Sequence, residues 1–581
     1  MQMLEQMPAR GFQSSVDPRL HFGLGRAERI DSLIVIWPDR RFQVLTDVGA
    51  NRTVTLDHQR AAGRYAYEEG PAAQPLFADV TTQVGVDFEH AENTFYDYNR
   101  EPLMPHLLST EGPALATGDV SADGLDDVYV GGAKGQAGRL FVQRRDGTFR
   151  PGGSQSVFDA DSLHEDVDAA FFDADGDGDQ DLYVVSGGNE FWGNAEALRD
   201  RLYLNDGRGN FRRSAGSLPD FFHNGSCVLP GDFDGDGDID LFVGSRVVAR
   251  SYGSAPRSYL LQNDGAGRFT DVTLGKANAL AQVGMVASAV WADYDGDRQL
   301  DLIVVGEWMP VTVFRQENGR FVDATADAGL SGSNGWWNSV AATDLNGDGR
   351  VDLVLGNLGL NSYIRASRDE PARLYVHDFF QNGAVEQVLT FYKNGVSYPL
   401  AGRDELVRLM PQLRSRYTSY ASFGASRVED IFPAADLKAA MVLEARLFAS
   451  SVAVNRGNGT FELRPLPTEA QFAPVYASLA DDFDGDGRAD LLLAGNFYGV
   501  TPVRGRYDAS YGLLLRGAGD GRFTPVDLED SNLVIEGQVR DMKHVRHAGG
   551  GRLIAVARND DKLQLLRPLR AGGDRRLTAQ R

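Results

Sequence analysis

Six short acidic segments hold the residues whose spacing could do chemistry, and that chemistry is the capture of a hard cation. They are Asp119-Val-Ser-Ala-Asp-Gly-Leu-Asp-Asp127, Asp173-Ala-Asp-Gly-Asp-Gly-Asp-Gln-Asp181 and Asp232-Phe-Asp-Gly-Asp-Gly-Asp-Ile-Asp240 in the first half of the chain. Asp293-Tyr-Asp-Gly-Asp-Arg-Gln-Leu-Asp301, Asp344-Leu-Asn-Gly-Asp-Gly-Arg-Val-Asp352 and Asp482-Phe-Asp-Gly-Asp-Gly-Arg-Ala-Asp490 follow. Counted from the first aspartate, side-chain oxygens recur at positions 1, 3, 5 and 9, and position 7 offers its backbone carbonyl. The ligand sets expected are Asp119, Ser121, Asp123, Leu125 and Asp127; Asp173, Asp175, Asp177, Asp179 and Asp181; and Asp232, Asp234, Asp236, Asp238 and Asp240. The later loops offer Asp293, Asp295, Asp297, Gln299 and Asp301; Asp344, Asn346, Asp348, Arg350 and Asp352; and Asp482, Asp484, Asp486, Arg488 and Asp490. All-oxygen sets of this kind suit Ca²⁺, which takes six to eight oxygen ligands.

An EF-hand opens in the same way but sits between helices and ends in a glutamate at position 12. Here each last aspartate runs directly into β-branched and apolar residues, as in Asp181-Leu-Tyr-Val-Val, so the loops join strands. Plain acidic turns are the simpler alternative, since Asp and Gly are turn formers; six copies in one register weigh against it. The six loops place 22 aspartates at ligand positions in a chain of net charge −23, and six calcium ions would bring that charge to −11. Calcium modules of extracellular type bind at about 10⁻⁴–10⁻³ M, far above cytosolic calcium. The expectation is about six structural Ca²⁺ in a protein that works outside the cytoplasm.

The loops recur along the chain, and the elements that position them recur too. First aspartates are spaced by 54, 59, 61, 51 and 138 residues, and a degenerate seventh start at Asp541 follows after 59 more. A glycine turn ending in phenylalanine alternates with them, at Phe149, Phe211, Phe269, Phe321, Phe461 and Phe523, with a seventh in Leu76-Phe77-Ala-Asp-Val-Thr81. Each repeat reads as four short strands, with the acidic loop between the first two and the Phe turn between the last two. Four-stranded repeats predict an all-β propeller. Seven first strands and seven fourth strands predict seven blades, closed by pairing the Phe77 strand with the end of the chain, which removes exposed sheet edges. The long interval holds an insertion over about 360–450 with a strand pair, a degenerate acidic loop Asp378–Glu386 and helical patches around 404–417 and 426–439. Counting the inserted pair as a blade gives the eight-bladed alternative; the seven Phe turns favour seven.

Composition narrows the setting. With 81 acidic against 58 basic residues, nucleic acid and anionic membrane are poor partners. The lone Cys227 excludes an intrachain disulfide, so cations would take over the stapling role. No run of about 18 apolar residues is present, so no transmembrane helix is expected. The start, Met1-Gln-Met-Leu-Glu-Gln-Met-Pro, has neither a basic nor an apolar signal region.

The acidic loops resemble the FG-GAP/VCBS repeats of integrin α propellers and bacterial surface proteins, over roughly 75–570. Arg10-Gly-Phe-Gln-Ser-Ser, His21-Phe-Gly-Leu-Gly25 and Ile30-Asp-Ser-Leu-Ile-Val-Ile-Trp-Pro-Asp39 resemble the ASPIC/UnbV module of the cartilage acidic protein family. In that family the module follows a propeller. Its position at the start here points to a truncated product whose upstream propeller, signal and surface attachment are missing. The expected organisation is a partial module at 1–58 with strands at Leu33–Trp37 and Thr53–Leu56, a linker at 59–75, the propeller at 76–570 and a tail at 571–581. The resemblance implies a secreted, cell-surface or outer-membrane-associated protein and no catalysis.

Loops between strands 2 and 3, and between successive blades, emerge opposite the acidic loops. Aromatic residues gather in those segments: Tyr96, Tyr98, Trp192, Tyr252, Trp308, Trp336, Trp337 and Tyr498. They form a candidate surface for an extracellular protein or glycan in an adhesion role. The competing reading is that the rings fill the mouth of the central channel or lie beneath the insertion. The rival function is a polysaccharide lyase or hydrolase on the same face, drawing on His90, His106, His223, Glu92, Glu307 and Arg100 for acid–base chemistry. No nucleophile elbow, HExxH, P-loop or dinucleotide fingerprint accompanies them.

Overall fold

The computed structural model describes residues 2–7, 11–66, 75–501 and 503–569, so the tail expected at 571–581 and residues 67–74 of the expected linker lie outside the described residues. The chain forms two compact units, Met1–Ala73 and Gln74–Arg581.

In the first unit, Arg29–Ile36 pairs antiparallel with Arg41–Gly49, and Ala62–Arg64 adds a third strand. The strand expected at Thr53–Leu56 is absent, and its place as partner is taken by Arg41–Gly49. The reason is local. The Trp37 amide bonds to the Arg41 carbonyl at 2.9 Å and Arg40 takes φ +65°, so the chain reverses at once over Pro38-Asp39-Arg40. The third strand lies within the stretch expected to be linker, so the module reaches past residue 58.

Among the described residues the second unit holds eight antiparallel groups of four strands, two of them joined into one eight-stranded sheet; seven are numbered here in chain order and the eighth belongs to the insertion. Sheet I is Leu115–Gly118, Asp127–Val130, Arg139–Gln143 and Phe149–Pro151. Sheet II is Asp166–Phe172, Asp181–Ser186, Arg201–Leu204 and Arg212–Arg213. Sheet III is Asn224–Gly231, Asp240–Val247, Tyr259–Asn263 and Phe269–Asp271. Sheet IV is Met285–Ala292, Asp301–Met309, Thr312–Glu317 and Arg320–Asp323. Sheet V is Gly335–Thr343, Asp352–Asn357, Ser451–Asn455 and Phe461–Pro465, joined to IV where Glu307 and Met309 pair with Trp336 and Gly335. Sheet VI is Val475–Asp481, Asp490–Gly495, Leu513–Gly517 and Phe523–Pro525.

Sheet VII takes three strands from the end of the chain, Gln538–Arg546, Arg552–Asn559 and Gln564–Pro568, and its fourth, Phe77–Asp79, from the start. Leu566 faces Asp79 and Pro568 faces Phe77 across that seam. The first strand of each sheet lies against the first strand of the next, from I to VII, and that of VII returns to that of I.

Strand periodicity explains the packing. In Leu182-Tyr-Val-Val185 every residue is buried, yet alternate side chains point to opposite faces. Leu182 and Val184 join Tyr129 and Leu140 between sheets I and II, while Tyr183 and Val185 join Leu241 and Val243 between II and III. A strand sandwiched between two neighbours reads as a continuous apolar run, which is how the sequence writes it.

The insertion makes its own sheet from Ala372–His377, Glu386–Lys393, Val396–Pro399 and Met441–Ala445, with five short helices between 403 and 439. Its Met441–Ala445 strand lies against sheets IV and V.

Candidate metal loops and the opposite face

Every acidic loop sits between the first and second strands of its sheet, and all six share one hydrogen-bond plan. The position 1 carboxylate accepts two amides of its own loop; for Asp232 these are Gly235 at 2.7 Å and Gly237 at 3.1 Å. Position 5 accepts the amide of position 7, as in Asp236 from Asp238 at 3.0 Å. Position 6 has left-handed backbone, with φ +97° at Gly237 and +69° at Arg298, the one loop where a side chain is carried there.

Position 9 does something the sequence did not announce. Asp127, Asp181, Asp240, Asp301, Asp352 and Asp490 are buried, and each accepts one amide from position 2 of its loop and one from the end of strand 3. For Asp240 the donors are Phe233 at 3.3 Å and Asn263 at 2.8 Å. Burial pushes these carboxyls up, to about 7 for Asp127, Asp240 and Asp301 and about 6 for Asp181, Asp352 and Asp490. A nearby cation would oppose that rise.

The Asn or Gln that closes strand 3 adds a stitch to the preceding sheet. Asn205 Nδ2 donates to the Val120 carbonyl at 2.8 Å, Asn263 to Ala174 at 2.9 Å, Gln316 to Phe233 at 2.8 Å and Asn455 to Tyr294 at 2.7 Å. The signal was present in the sequence as the Asn that opens Asn205-Asp-Gly, Asn263-Asp-Gly and Asn455-Arg-Gly.

The donor set fits a hard cation. In four loops three carboxylates bring oxygens within 4.8 Å of one another: Asp173, Asp175 and Asp181; Asp232, Asp234 and Asp240; Asp293, Asp295 and Asp297; Asp482, Asp484 and Asp490. Ser121 Oγ, Asp175 Oδ1 and Asp234 Oδ1, all at position 3, are buried with no hydrogen-bond partner. Such orphaned oxygens are costly unless an ion or water meets them. The loops starting at Asp119 and Asp344 have Ser121 and Asn346 at position 3 and form no carboxylate trio among the described residues. The inserted loop keeps the amide pattern, with Asp378 accepting from Asn382 and Gly383 at 2.9 Å each, but has Phe380 at position 3.

The model of the FG-GAP-like repeat matches residues 119–184, 173–243 and 293–355, and that of ASPIC and UnbV matches 1–63. The chain carries FG-GAP-like repeats and an ASPIC and UnbV segment. It is 24% identical to Cartilage acidic protein 1 of Homo sapiens over 472 residues, 74% of this chain and 60% of that protein. With the same protein of Mus musculus the identity is 24% over 362 residues, 55% of this chain and 47% of the other. The chain thus spans 60% or less of the length of these relatives. Among solved structures, the Dos1 propeller aligns over 81% of this chain and 96% of its own, at 11% identity and a TM-score of 0.37; the reading of the fold rests on the strand pairing above.

On the face opposite the FG-GAP loops, the eight expected aromatics divide. Tyr252, Trp308, Trp336 and Trp337 are buried, so these four are corrected from presented to packed rings. Tyr252, Trp308 and Trp336 share a core with Leu374, Val376 and Leu389 of the insertion, which covers them. Trp337 is closed into the core between sheets IV and V, with its indole N–H on the Ser333 carbonyl at 2.9 Å. Tyr96 and Trp192 are exposed, while Tyr98 and Tyr498 are half-buried. The Arg250 guanidinium lies 3.7 Å from the centre of the Trp192 ring.

The six residues of the acid–base reading are not brought into one site. His223 is buried with one ring nitrogen on Ser245 Oγ at 2.7 Å and the other on Asp200 at 3.0 Å. Arg100 donates to the carbonyls of Asn189 and Glu190. Glu307 is buried against His106 at 3.0 Å, Arg246 at 2.8 Å and the Tyr252 hydroxyl at 2.5 Å. Burial alone would raise Glu307, but His106 and Arg246 outweigh it and hold the carboxyl down at about 2. A carboxyl held that low is already ionised near neutrality, so it has no proton to donate there and is a weak base.

His90, Glu92 and Glu165 do meet, with atoms within 4.8 Å, and His90 Nε2, Glu92 Oε2 and Glu165 Oε1 are buried without partners. A metal reading fails here. The Asp560 amide donates to His90 Nδ1 at 3.1 Å, so in the neutral ring Nε2 carries the proton and is a donor, not a ligand.

Proposed function

We propose that this chain is an extracellular binding or adhesion protein, a seven-bladed propeller whose FG-GAP loops hold structural calcium and whose opposite face meets a protein or glycan. The observation that carries it is the common loop plan: position 3 oxygens left buried and unpaired in three loops, carboxylate trios in four. Asp, Asn and Ser side chains at positions 1, 3, 5 and 9, with the position 7 carbonyl, would hold the ion. Calcium there would neutralise the clustered carboxylates and hold each hairpin shut. The seven-blade count is supported by the cyclic contact of first strands and by the Phe77 seam.

Binding is favoured over catalysis because the candidate acid–base groups are dispersed and Glu307 is pinned by Arg246. An outside location is supported by the calcium affinity such loops have, about 10⁻⁴–10⁻³ M. Among the described residues no helix is long and apolar enough to cross a membrane. Of the eight expected aromatics, Tyr96 and Trp192 remain exposed, with Arg250 beside Trp192.

Two measurements test the proposal. Calorimetric titration of chelator-stripped protein with calcium should give about six sites; no calcium uptake sinks the metal half. Glycan arrays and pull-downs in excess calcium, together with incubation on acidic and neutral polysaccharides, test the other half. Retention without cleavage is expected, and release of cleaved product would overturn the binding reading.

A further inference from the structure

Four loops bring three carboxylates together, yet their charge is met in two different ways. In the loop starting at Asp232, position 3 is already engaged from outside the loop. Asp234 Oδ2 accepts Gln262 Nε2 at 2.6 Å and lies 3.1 Å from the Lys276 ammonium, while Oδ1 is buried and unpaired. Lys276 is held rather than free. It ends the short helix Thr273–Lys276, its ammonium lies 5.1 Å from the centre of the buried Phe233 ring, and its side chain is 24% exposed. In the loop starting at Asp482, Arg516 Nε donates to Asp484 Oδ2 at 2.5 Å. The trios of the loops starting at Asp173 and Asp293 have no side-chain cation within ion-pair distance among the described residues.

The difference follows from strand register. Asn263 and Gly517 give their amides to the position 9 carboxylates, and the residues just before them, Gln262 and Arg516, reach position 3. The equivalent residue in sheet II is Leu204, which has nothing to donate, since Asn205 makes the amide contact there. In sheet IV it is Arg315, whose guanidinium is turned onto Glu317 at 2.8 Å instead. A carboxylate that shares its charge with an ammonium or guanidinium is a poorer ligand for a divalent ion, and the protein cation repels that ion as well. The same contact neutralises the loop when calcium is scarce.

We propose that Lys276 and Arg516 are built-in rivals of calcium: positioning residues that hold the position 3 carboxylates of sheets III and VI and weaken the ion there. The metal loops thereby divide into a tight class, at Asp173 and Asp293, and a weak class, at Asp232 and Asp482; the proposal rests on the calcium reading above. As calcium falls, the weak loops lose their ion first but stay closed on their own cation, while the tight loops keep theirs. At no calcium level are all four hairpins left with bare carboxylates.

The test is calorimetric titration of the chelator-stripped full chain with calcium, joined to melting curves in calcium and in chelator. Lys276→Met keeps an apolar stem beside Phe233 and removes the charge. One weak site should then tighten by about fivefold to tenfold, the effect of a unit charge beside a divalent ion at a partly exposed site. The same variant should melt lower than the parent in chelator but not in saturating calcium, whereas a merely structural lysine would lower both curves alike. Lys276→Arg should behave as the parent does. Asp236→Ala, which removes position 5 of the same loop, should cancel the gain of Lys276→Met. Asp177→Ala should take a site from the tight part of the parent isotherm and Asp236→Ala one from the weak part; the reverse assignment overturns the ranking. Arg516→Met, at a side chain 52% exposed, repeats the comparison in sheet VI should Lys276→Met fail to fold. Unchanged or weakened uptake in the charge-removing variants overturns the rivalry, as does an equal loss of melting temperature with and without calcium. A gain that survives Asp236→Ala overturns its placement in that loop. No calcium uptake by the parent protein is a separate result: it fells the calcium reading itself, and this proposal with it.

Discussion

Asp240 accepts amides from two separate segments before any cation is considered, whereas Asp236 at position 5 is exposed and accepts only within its own loop. The two carboxylates should therefore fail differently. Asp240→Ala leaves two buried amides unpaired, which costs about 2–4 kcal/mol with or without calcium. Asp236→Ala should cost about 1–2 kcal/mol in calcium and little in chelator, where the side chain supplies a single exposed hydrogen bond to the Asp238 amide that water can replace. Urea melts of both variants in each condition separate the roles. A second residue-scale prediction concerns Glu92. Burial raises its carboxyl to about 7, against the pull of Asn559 and Arg540 and with the push of Asp560 and Glu190. The folded state thus holds this proton more tightly than the unfolded chain. Stability contributed by Glu92 is complete below about pH 4.5 and drains away as pH rises to about 7. Glu92→Gln should flatten that decline by at most about 3 kcal/mol, read as the difference between variant and parent across pH 5–7.5 in saturating calcium. Parallel curves would show that the three orphaned atoms at His90, Glu92 and Glu165 do not share a proton.

At the scale of elements, the insertion is a cover. Trp308 takes φ +62° in a bulge between sheets IV and V, an unusual conformation for a bulky residue, and its indole donates to the Tyr252 hydroxyl at 2.8 Å. Ala372, Leu374 and Leu389 of the inserted sheet close over that cluster. Trp308→Ala should accordingly cost about 3–5 kcal/mol, as for large aromatics removed from cores, rather than leave the fold untouched as a surface ligand residue would. A cooperative melt at the parent temperature would restore the surface reading. The same ring shows where sequence alone stops. Trp308 and Leu374 stand 66 residues apart, and no periodicity in either segment says that one lies over the other. The acidic loops were legible because ligand spacing, strand and turn are all local and repeat. The two half-repeats at Phe77 and Asp541 were legible as partners because each lacked what the other had. The amide stitches of Asn205 and Asn263 were half legible: the Asn stands out in the turn, but its acceptor belongs to the preceding sheet. The strand at Arg41–Gly49 was missed because a tight turn formed at Pro38-Asp39-Arg40, without the Asn-Gly pair that usually announces one.

For the whole propeller-like unit, the question is what resists the repulsion of so many carboxylates on one face. The protein has 81 acidic residues, a pI near 4.8 and a single buried cysteine, so no sulfur bridge holds its sheets. Each proposed calcium site, at the affinity of extracellular modules, about 10⁻⁴–10⁻³ M, and in about 2 mM calcium, would add RT ln(1 + [L]/Kd), or about 0.7–1.8 kcal/mol. Six such sites, as proposed, would together add about 4–11 kcal/mol, comparable to the entire stability of an ordinary domain. Chelator should therefore lower the melting temperature sharply, and sodium chloride should recover only part of the loss, because salt screens repulsion but does not fill the position 3 gaps at Ser121, Asp175 and Asp234. Phe77→Ala, which empties a fully buried site at the seam, should act on the same transition from the other side, by about 3–5 kcal/mol in calcium. If the ring melts as one unit, chelation and the seam variant shift a single transition, and the two effects couple rather than add, since Phe77 packs on Phe483 of the loop starting at Asp482, with ring centroids 5.5 Å apart. Two separate transitions, one for the seam sheet and one for the rest, would mean that sheet VII closes the ring without sharing its stability.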